Sequence, residues 1–130
     1  LNVHRRISSD DGANWSAPQD LGFTDQPSHP AILPDGRVVL AWVDRFGSRS
    51  IRARMAESFD GAFDPESEVV LHEASAASNA ISSTGEALAD MQTWSYGLPF
   101  AEALPDGDVM GVYYAGLPDA MDIRWARLGL

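Results

Sequence analysis

The chain has 130 residues and a net charge of −10, from 19 acidic and 9 basic side chains. This acidic balance opposes binding to nucleic acid or to anionic membrane surfaces, whose protein partners carry basic patches. The absence of cysteine excludes disulfides, thiolate metal sites and cysteine nucleophiles. The histidines are isolated in the sequence, no cofactor-binding motif is found, and no apolar run approaches the roughly 20 residues of a membrane span. We therefore expect no metal, no cofactor and no membrane insertion.

The first predicted elements are two strands, residues 2–9 and 16–22, joined by a tight turn. Ser8 and Asp10 have short polar side chains that suit backbone N–H groups left unpaired by such a turn. Gly12 accepts a positive φ without a steric clash. Trp15 is expected to fold back as an apolar plug. These residue types give the turn a structural role.

The next predicted element is a complete four-stranded antiparallel unit. Its strands are predicted at residues 29–33, 37–45, 51–57 and 68–73. The turn Leu33–Gly36 has the sequence Leu-Pro-Asp-Gly, in which Pro presets φ and Gly accepts φ above zero. A polar, Ala- and Ser-rich stretch over residues 74–90 follows, and its composition predicts either a loop insertion or a short helix.

The last predicted elements repeat part of this unit. The Leu-Pro-Asp-Gly turn recurs at Leu104–Gly107, and strands are predicted at residues 93–104, 108–115 and 122–128. In both copies the turn leads into an apolar strand and then into a strand that begins Ile-Arg, at Ile51 and at Ile123. Internal similarity at a fixed spacing is typical of repeat architectures.

The turn from Ser8 to Trp15 also matches the Asp-box pattern Ser-x-Asp-x-Gly-x-x-Trp at all four specified positions. With the repeat, this motif resembles the BNR or Asp-box repeats of the sialidase-like β-propellers, the neuraminidase superfamily. The resemblance implies an all-β propeller, six-bladed in that family, of which residues 1–130 are a segment of one domain. Residues 1–22 are predicted as outer strands of one blade, residues 29–73 as a complete blade and residues 92–130 as most of a third.

The predicted segment holds roughly two and a half blades, whereas a closed propeller needs about four to eight. The remaining blades are therefore expected from the same longer chain or from further copies of this one. The resemblance also favours an extracellular or periplasmic location.

The resemblance further implies where a ligand lies. In sialidase-like propellers the ligand occupies the central axis on the face opposite the Asp boxes, and here that face comprises residues 26–29, 44–49, 94–96 and 115–121. The residues on it with suitable chemistry are His29, Arg45, Arg49 and Trp94 for binding a glycan and Tyr96 and Asp44 for catalysis. Arginine suits a carboxylate because its fork donates two parallel hydrogen bonds. Four of these residues have a specific structural alternative: a solvated loop for Asp44 and Arg45, and core packing for Trp94 and Tyr96.

One departure from the active sialidases concerns the nucleophile. Where those enzymes have the tyrosine that attacks the sugar, the best-matching blade has Phe100. Phenylalanine has no hydroxyl to attack an anomeric carbon. Either this blade is not the catalytic one, or Tyr96 substitutes for that tyrosine, or the sialidase mechanism is not used.

Three functions remain open from the sequence. The first is a carbohydrate-active enzyme, an exo-glycosidase similar to sialidases that binds a glycan at the propeller axis. The second is a non-catalytic glycan-binding propeller, and the third is a structural or protein-binding propeller segment. Outside the candidate site, Arg5, Arg6, Arg52 and Arg54 are predicted to form salt bridges between blades, and Tyr113 to pack or to form a hydrogen bond between them.

Overall fold

The computed structural model describes residues 2–24, 26–74, 85, 95–117 and 119–130. Within these residues the protein is all-β, and its ten strands form three antiparallel sheets, none of them closed. The first sheet is the pair β1 (His4–Arg5) and β2 (Gln19–Asp20). The predicted insertion at residues 74–90, with its possible helix, lies almost wholly outside the described residues. No helix in the described part of the chain is long and apolar enough to cross a membrane.

The turn between β1 and β2 has the hydrogen bonds that its sequence predicts. The Ser8 hydroxyl oxygen accepts from the Gly12 N–H at 2.8 Å, and a carboxylate oxygen of Asp10 accepts from the Asn14 N–H at 2.9 Å. Gly12 has φ of 87°. The Trp15 indole N–H donates back to the Gly12 carbonyl at 3.0 Å, but its side chain remains 58% exposed. The prediction that Trp15 forms an apolar plug is therefore wrong, because its indole lies along the surface of the turn and is not buried.

The central sheet contains the predicted four-stranded unit. Its strands are β3 (Gln26–Pro27), β4 (Ala31–Ile32), β5 (Val38–Asp44), β6 (Ser50–Ala56) and β7 (Val69–Glu73). The edge strand of this sheet is split into β3 and β4, of which only β4 falls within the first predicted strand, residues 29–33. Both pair with β5, which pairs with β6, and β6 pairs with β7. A short 3₁₀ turn, Pro65–Ser67, precedes β7.

The last sheet has the order β8–β9–β10. Its strands are β8 (Tyr96–Ala103), β9 (Val109–Leu117) and β10 (Ala120–Leu128). The pairing of β8 with β9 shifts register between Gly97 and Phe100, and Gly97 has φ of 156°. The two strands that follow the second Leu-Pro-Asp-Gly turn are longer than predicted, because the pairing of β9 with β10 extends to Leu117 and Ala120.

Strand β5 lies at the centre of the fold, and both of its faces are buried. Val39, Ala41 and Val43 pack against the last sheet, whereas Leu40 and Trp42 pack against the first. The partners toward the first sheet are Val3 and Phe23. The partners on the last sheet are Tyr96, Ala101, Val109, Tyr113 and Ala115. The three sheets are therefore stacked face to face in chain order.

Polar contacts also join the sheets. The Tyr113 hydroxyl donates to the Leu71 carbonyl of β7 at 2.8 Å, which confirms the predicted hydrogen bond. The Arg5 guanidinium donates to the carbonyls of Phe59 and Gly61, both at 2.8 Å, in the turn before β7. The salt bridges predicted for Arg52 and Arg54 are not between sheets.

Arg52 and Arg54 both bind the same carboxylate, that of Glu68, the residue immediately before β7. The residues alternate along β6, so both guanidinium groups extend from one face toward the neighbouring strand. Arg54 also lies over the rings of Phe23 and Trp42, with its guanidinium carbon 5.6 and 5.3 Å from the ring centroids. The sequence pattern identified the cations but not the acidic partner within their own sheet.

Candidate functional site

The split edge strand of the central sheet lies beside β8, and together they expose an aromatic stack. The His29 imidazole is parallel to the Phe100 ring, with an interplanar angle of 12° and centroids 5.2 Å apart. Phe100 is 48% exposed, and Leu98 beside it is 64% exposed. We name His29, Leu98 and Phe100 the inner-edge wall. A surface of this kind offers flat apolar area with a polar nitrogen at its margin.

A buried arginine lies at one end of the inner-edge wall. Arg45 follows β5 and is only 5% exposed, and its Nη2 atom donates to the side-chain oxygen of Gln26 at 3.3 Å. The guanidinium extends to the last sheet, where a Cβ built on Gly97 would lie 2.7 Å from Nη2. The solvated-loop alternative for Arg45 is therefore wrong, because the side chain is buried.

Gly97 makes room for two polar side chains. A Cβ at this position would also lie 2.8 Å from the Tyr114 hydroxyl. Both distances are shorter than real Cβ contacts. Because glycine has no Cβ, the Arg45 and Tyr114 side chains can both approach the backbone at this position. We name Gln26, Arg45, Gly97 and Tyr114 the arginine cluster.

Asp44 shapes the loop that carries Arg45. Its carboxylate accepts hydrogen bonds from the Gly47 N–H, the Ser48 N–H and the Ser48 hydroxyl, each at 2.8 Å. Burial raises its pKa, but these hydrogen bonds and the Arg52 charge outweigh burial and hold the pKa below its ordinary value. Asp44 is therefore an ionised acceptor that fixes the loop, an arrangement that does not suit a proton donor.

Arg49 ends the same loop in the left-handed region, with φ of 55°. Its carbonyl accepts from the Ala74 N–H at 2.9 Å. Arg49 therefore helps to close the loop against the segment after β7. Trp94 lies outside the described residues, so its predicted role as a stacking platform stays a prediction.

Tyr96 is a core residue. It is 7% exposed and packs with Val43 and Tyr113 between the central and last sheets. The His72 ring lies 5.6 Å from the Tyr96 ring and 5.7 Å from the Tyr113 ring, measured between centroids. This environment fits the structural alternative for Tyr96 and gives its ring no surface for a sugar.

The His72 imidazole in this packed layer has a shifted pKa. Burial lowers its pKa below the ordinary histidine value, and the nearby Arg124 charge lowers it further, while Glu73 opposes both. His72 is therefore held toward its neutral form, consistent with its position between two aromatic rings.

The site residues that sequence reasoning missed are Gly97, Tyr114 and, as a binding surface, Phe100. The sequence pattern draws attention to Phe100 only because it stands where the active sialidases have a nucleophilic tyrosine. The signal that could have found the other two is the bulge, since a Gly-Leu-Pro within a strand predicts irregular pairing and close approach. No group of three or more metal-ligating side chains occurs in the described residues.

The two ends of the central sheet carry different loops. The turns at residues 33–37 and 57–64 lie at one end, since Val38 pairs with Ala56. The loop that carries Arg45 lies at the other end, since Asp44 pairs with Ser50. The arginine cluster is thus at the end of the sheet opposite the Leu-Pro-Asp-Gly turn.

Comparisons with known proteins add one structural neighbour. The chain is similar to a crystal structure of a protein of unknown function from Dyadobacter fermentans DSM 18053, with 29% sequence identity and a TM-score of 0.64. The alignment covers 96% of this chain and 30% of that protein, so the chain spans less than a third of its neighbour's length. No family model matches the chain, and no curated protein matches it significantly.

Proposed function

We propose that the chain is a segment of a sialidase-like β-propeller and that it binds a glycan at the inner-edge wall and the arginine cluster. The single observation that carries the binding proposal is the exposed parallel stack of His29 and Phe100 beside the buried Arg45. Sugar rings bind aromatic faces through their apolar C–H surface, and a buried guanidinium favours a carboxylate or a hydroxyl acceptor.

The stacking of three sheets in chain order supports the propeller architecture. The two copies of the repeat have the same orientation: Ile51 faces the last sheet and is fully buried, while its counterpart Ile123 faces outward and is 75% exposed. In a propeller each blade packs on the next, so the outward face of the last sheet is where a further sheet is expected.

The wall and the cluster together suit an anionic sugar. Arg45 is only 5% exposed, so its proposed role is to attract a negatively charged ligand bound beside it through a weakly screened charge, without direct contact. The Tyr114 hydroxyl lies close enough to the same region to contribute a polar contact. The proposed ligand is therefore a glycan that carries a carboxylate and stacks one sugar ring on the His29–Phe100 pair.

We propose binding without hydrolysis for this set of residues. Phe100 lacks the hydroxyl that the resemblance requires, and Tyr96 is packed in the core. Asp44 is an ionised loop acceptor. The catalytic candidates Asp44 and Tyr96 therefore have structural roles that explain their positions.

The proposal is tested by a glycan array followed by titration of the glycans that bind. Phe100→Ala is expected to weaken binding of sialylated glycans about tenfold or more, because it removes half of the stack. Phe59→Ala is the matched control, since Phe59 is 61% exposed on the turn at the opposite end of the central sheet. Equal binding by parent and Phe100→Ala would overturn the proposed site.

A fluorogenic methylumbelliferyl sialoside separates binding from hydrolysis. The expected result is no turnover by the parent under conditions in which sialylated glycans bind. Turnover that is lost in Tyr114→Phe or Tyr96→Phe would instead show an enzyme with a displaced tyrosine.

A further inference from the structure

A row of polar side chains crosses one face of the central sheet and ends at Asp44. The Arg52 Nε–H donates to the Ser50 hydroxyl oxygen at 2.8 Å, and the Ser50 and Ser48 hydroxyl oxygens lie 2.5 Å apart. The Ser48 hydroxyl donates to the Asp44 carboxylate at 2.8 Å. Since Ser48 gives its one hydroxyl proton to Asp44, the Ser50 hydroxyl is the donor to Ser48. We name Ser48 and Ser50 the serine bridge between Arg52 and Asp44.

The strand register places both ends of this row on one face. Asp44 is opposite Ser50 and Trp42 is opposite Arg52 in the β5–β6 pairing, and Trp42 packs toward the first sheet. Side chains alternate along a strand, so Asp44, Ser50 and Arg52 project from that same face. Ser50 is fully buried, and the row satisfies its hydroxyl both as donor and as acceptor. Ser50 therefore ties Arg52 to the loop from inside the fold.

Arg52 is fixed at its other end by an ion pair. Its Nη1 atom donates to the carboxylate of Glu68, which also binds Arg54. A planar guanidinium held through two of its nitrogens keeps one orientation, so its Nε–H is directed at the serine bridge. The charge of Arg52 also reaches Asp44, since burial raises the pKa of Asp44 while the hydrogen bonds of the loop and this charge lower it.

We propose that Arg52 is a positioning residue for Arg45. The Asp44 carboxylate accepts the Gly47 and Ser48 N–H groups and so shapes the loop that carries Arg45 into the arginine cluster. Through the serine bridge, Arg52 holds that carboxylate in place from the middle of β6. The inference rests on the proposed function, in which the Arg45 charge favours an anionic sugar. It adds that this preference depends on a residue outside the inner-edge wall and the arginine cluster.

Arg54 provides a matched control for Arg52. Both side chains project from the same face of β6 and bind Glu68, and they are 21% and 25% exposed, respectively. Within the described residues Arg52 donates to the serine bridge, whereas Arg54 lies over the rings of Phe23 and Trp42. A general loss of stability or of charge therefore affects Arg54→Gln at least as strongly as Arg52→Gln.

The first test needs no sugar. Hydrogen exchange of the Gly47 amide is followed by NMR, because Asp44 accepts this N–H. Arg52→Gln is expected to speed this exchange about threefold or more, and Arg54→Gln is expected to leave it unchanged. Arg52→Lys keeps the charge but places a methylene where the Nε–H stands, so it should act like Arg52→Gln and carries the test if Arg52→Gln does not fold.

The serine bridge is tested at its exposed end. Ser48→Ala removes the hydroxyl without touching the ion pair and should also speed Gly47 exchange, whereas Ser48→Thr keeps the hydroxyl and should leave exchange slow. Because Ser48 also bonds Asp44 directly, the double variant isolates the bridge. Arg52→Gln added to Ser48→Ala is expected to speed exchange no further.

The second test measures the preference for the anionic sugar. The affinities of the parent and the variants for sialyllactose and for lactose are determined by NMR titration. Arg52→Gln is expected to lower the preference for sialyllactose about threefold or more. Its affinity for lactose should stay unchanged, because the His29–Phe100 stack is untouched. Arg54→Gln should keep the preference of the parent, and a merely structural effect would weaken both sugars alike.

The positioning role is overturned if Gly47 exchange responds equally to Arg52→Gln and Arg54→Gln, or if the effects of Arg52→Gln and Ser48→Ala add. It is also overturned by an unchanged sugar preference in Arg52→Gln. A parent that binds neither sugar overturns the proposed function instead, and Gly47 exchange then still decides whether Arg52 holds the loop. Circular dichroism of each variant establishes that a changed loop does not reflect a lost fold.

Discussion

The imidazole of His29 and the ring of Phe100 lie parallel, with an interplanar angle of 12° and centroids 5.2 Å apart. The two residues come from different sheets, His29 from the split edge of the central sheet and Phe100 from β8. Their contact therefore depends on the packing of one sheet on the next. A local sequence pattern contains no information on this juxtaposition, although it identified both residues separately.

Gly97→Ala tests whether the arginine cluster requires a residue without a Cβ at position 97. A methyl group would lie within 2.8 Å of both Arg45 Nη2 and Tyr114 Oη, so both side chains, or the backbone at Gly97, must move. We expect a loss of about 1–3 kcal/mol in the free energy of unfolding, measured by urea denaturation. Gly129→Ala is the control because nothing lies closer than 4.0 Å to its built Cβ. An unchanged urea midpoint in Gly97→Ala would contradict the crowding at this position.

The lowered pKa of His72 predicts that part of the free energy of unfolding is lost at acidic pH. Burial and the Arg124 charge lower its pKa in the folded protein, so the unfolded chain binds more protons once the pH falls below about 6.5. The stability from neutral His72 is complete above that pH and is lost as the pH falls toward the lowered folded-state pKa. Because His72 is partly exposed, we expect a slope well below the limit of about 1.4 kcal/mol per pH unit for one proton.

The measurement is urea denaturation at several pH values between 6.5 and 5. His72→Phe should flatten the pH dependence, since phenylalanine binds no proton. His4→Gln, at an exposed histidine of β1, controls for the removal of a histidine elsewhere. A parent whose stability does not change in this interval would disprove the role given to His72.

Asp10→Ala tests the turn between β1 and β2. Hydrogen bonds from the side chain and backbone of Asn14 and from Ser8 hold the pKa of Asp10 below its ordinary value, so the carboxylate is the form that the turn stabilises. We expect Asp10→Ala to lower the melting temperature by a few degrees, with glycan binding unchanged. Ser9→Ala is the neighbouring control, since Ser9 makes no side-chain hydrogen bond within the described residues. Lost binding at an unchanged melting temperature would place the turn in the site.

Much of the strand order could be predicted from the sequence because it depends on local chemistry. The turn from Ser8 to Trp15 and the Leu-Pro-Asp-Gly turns mark where strands end, and apolar runs such as Val38–Val43 mark strands between them. The split of the first strand of the central sheet was missed, because Ser28 inserts its hydroxyl into the ladder and accepts from the Ala41 N–H at 3.1 Å.

The candidate site was predicted less well because its roles depend on contacts between sheets. The sequence gives both Arg45 and Tyr96 a functional and a structural alternative, and only packing shows their surroundings: Arg45 is buried next to the exposed wall, and Tyr96 is buried in the core. The pairing of Arg52 and Arg54 with Glu68 likewise follows from the path of β7, which sequence spacing does not give.

The most direct test of glycan binding at the inner-edge wall is a titration followed by backbone amide NMR. Sialyllactose added to the labelled parent is expected to give saturable shifts that are largest at His29, Gly97 and Phe100, and lactose is expected to give weaker shifts at the same amides. In Phe100→Ala the same shifts should need about tenfold more sialyllactose or higher. Shifts concentrated at the Asp10 turn, or no saturable shifts with either sugar, would contradict a glycan site at the His29–Phe100 stack.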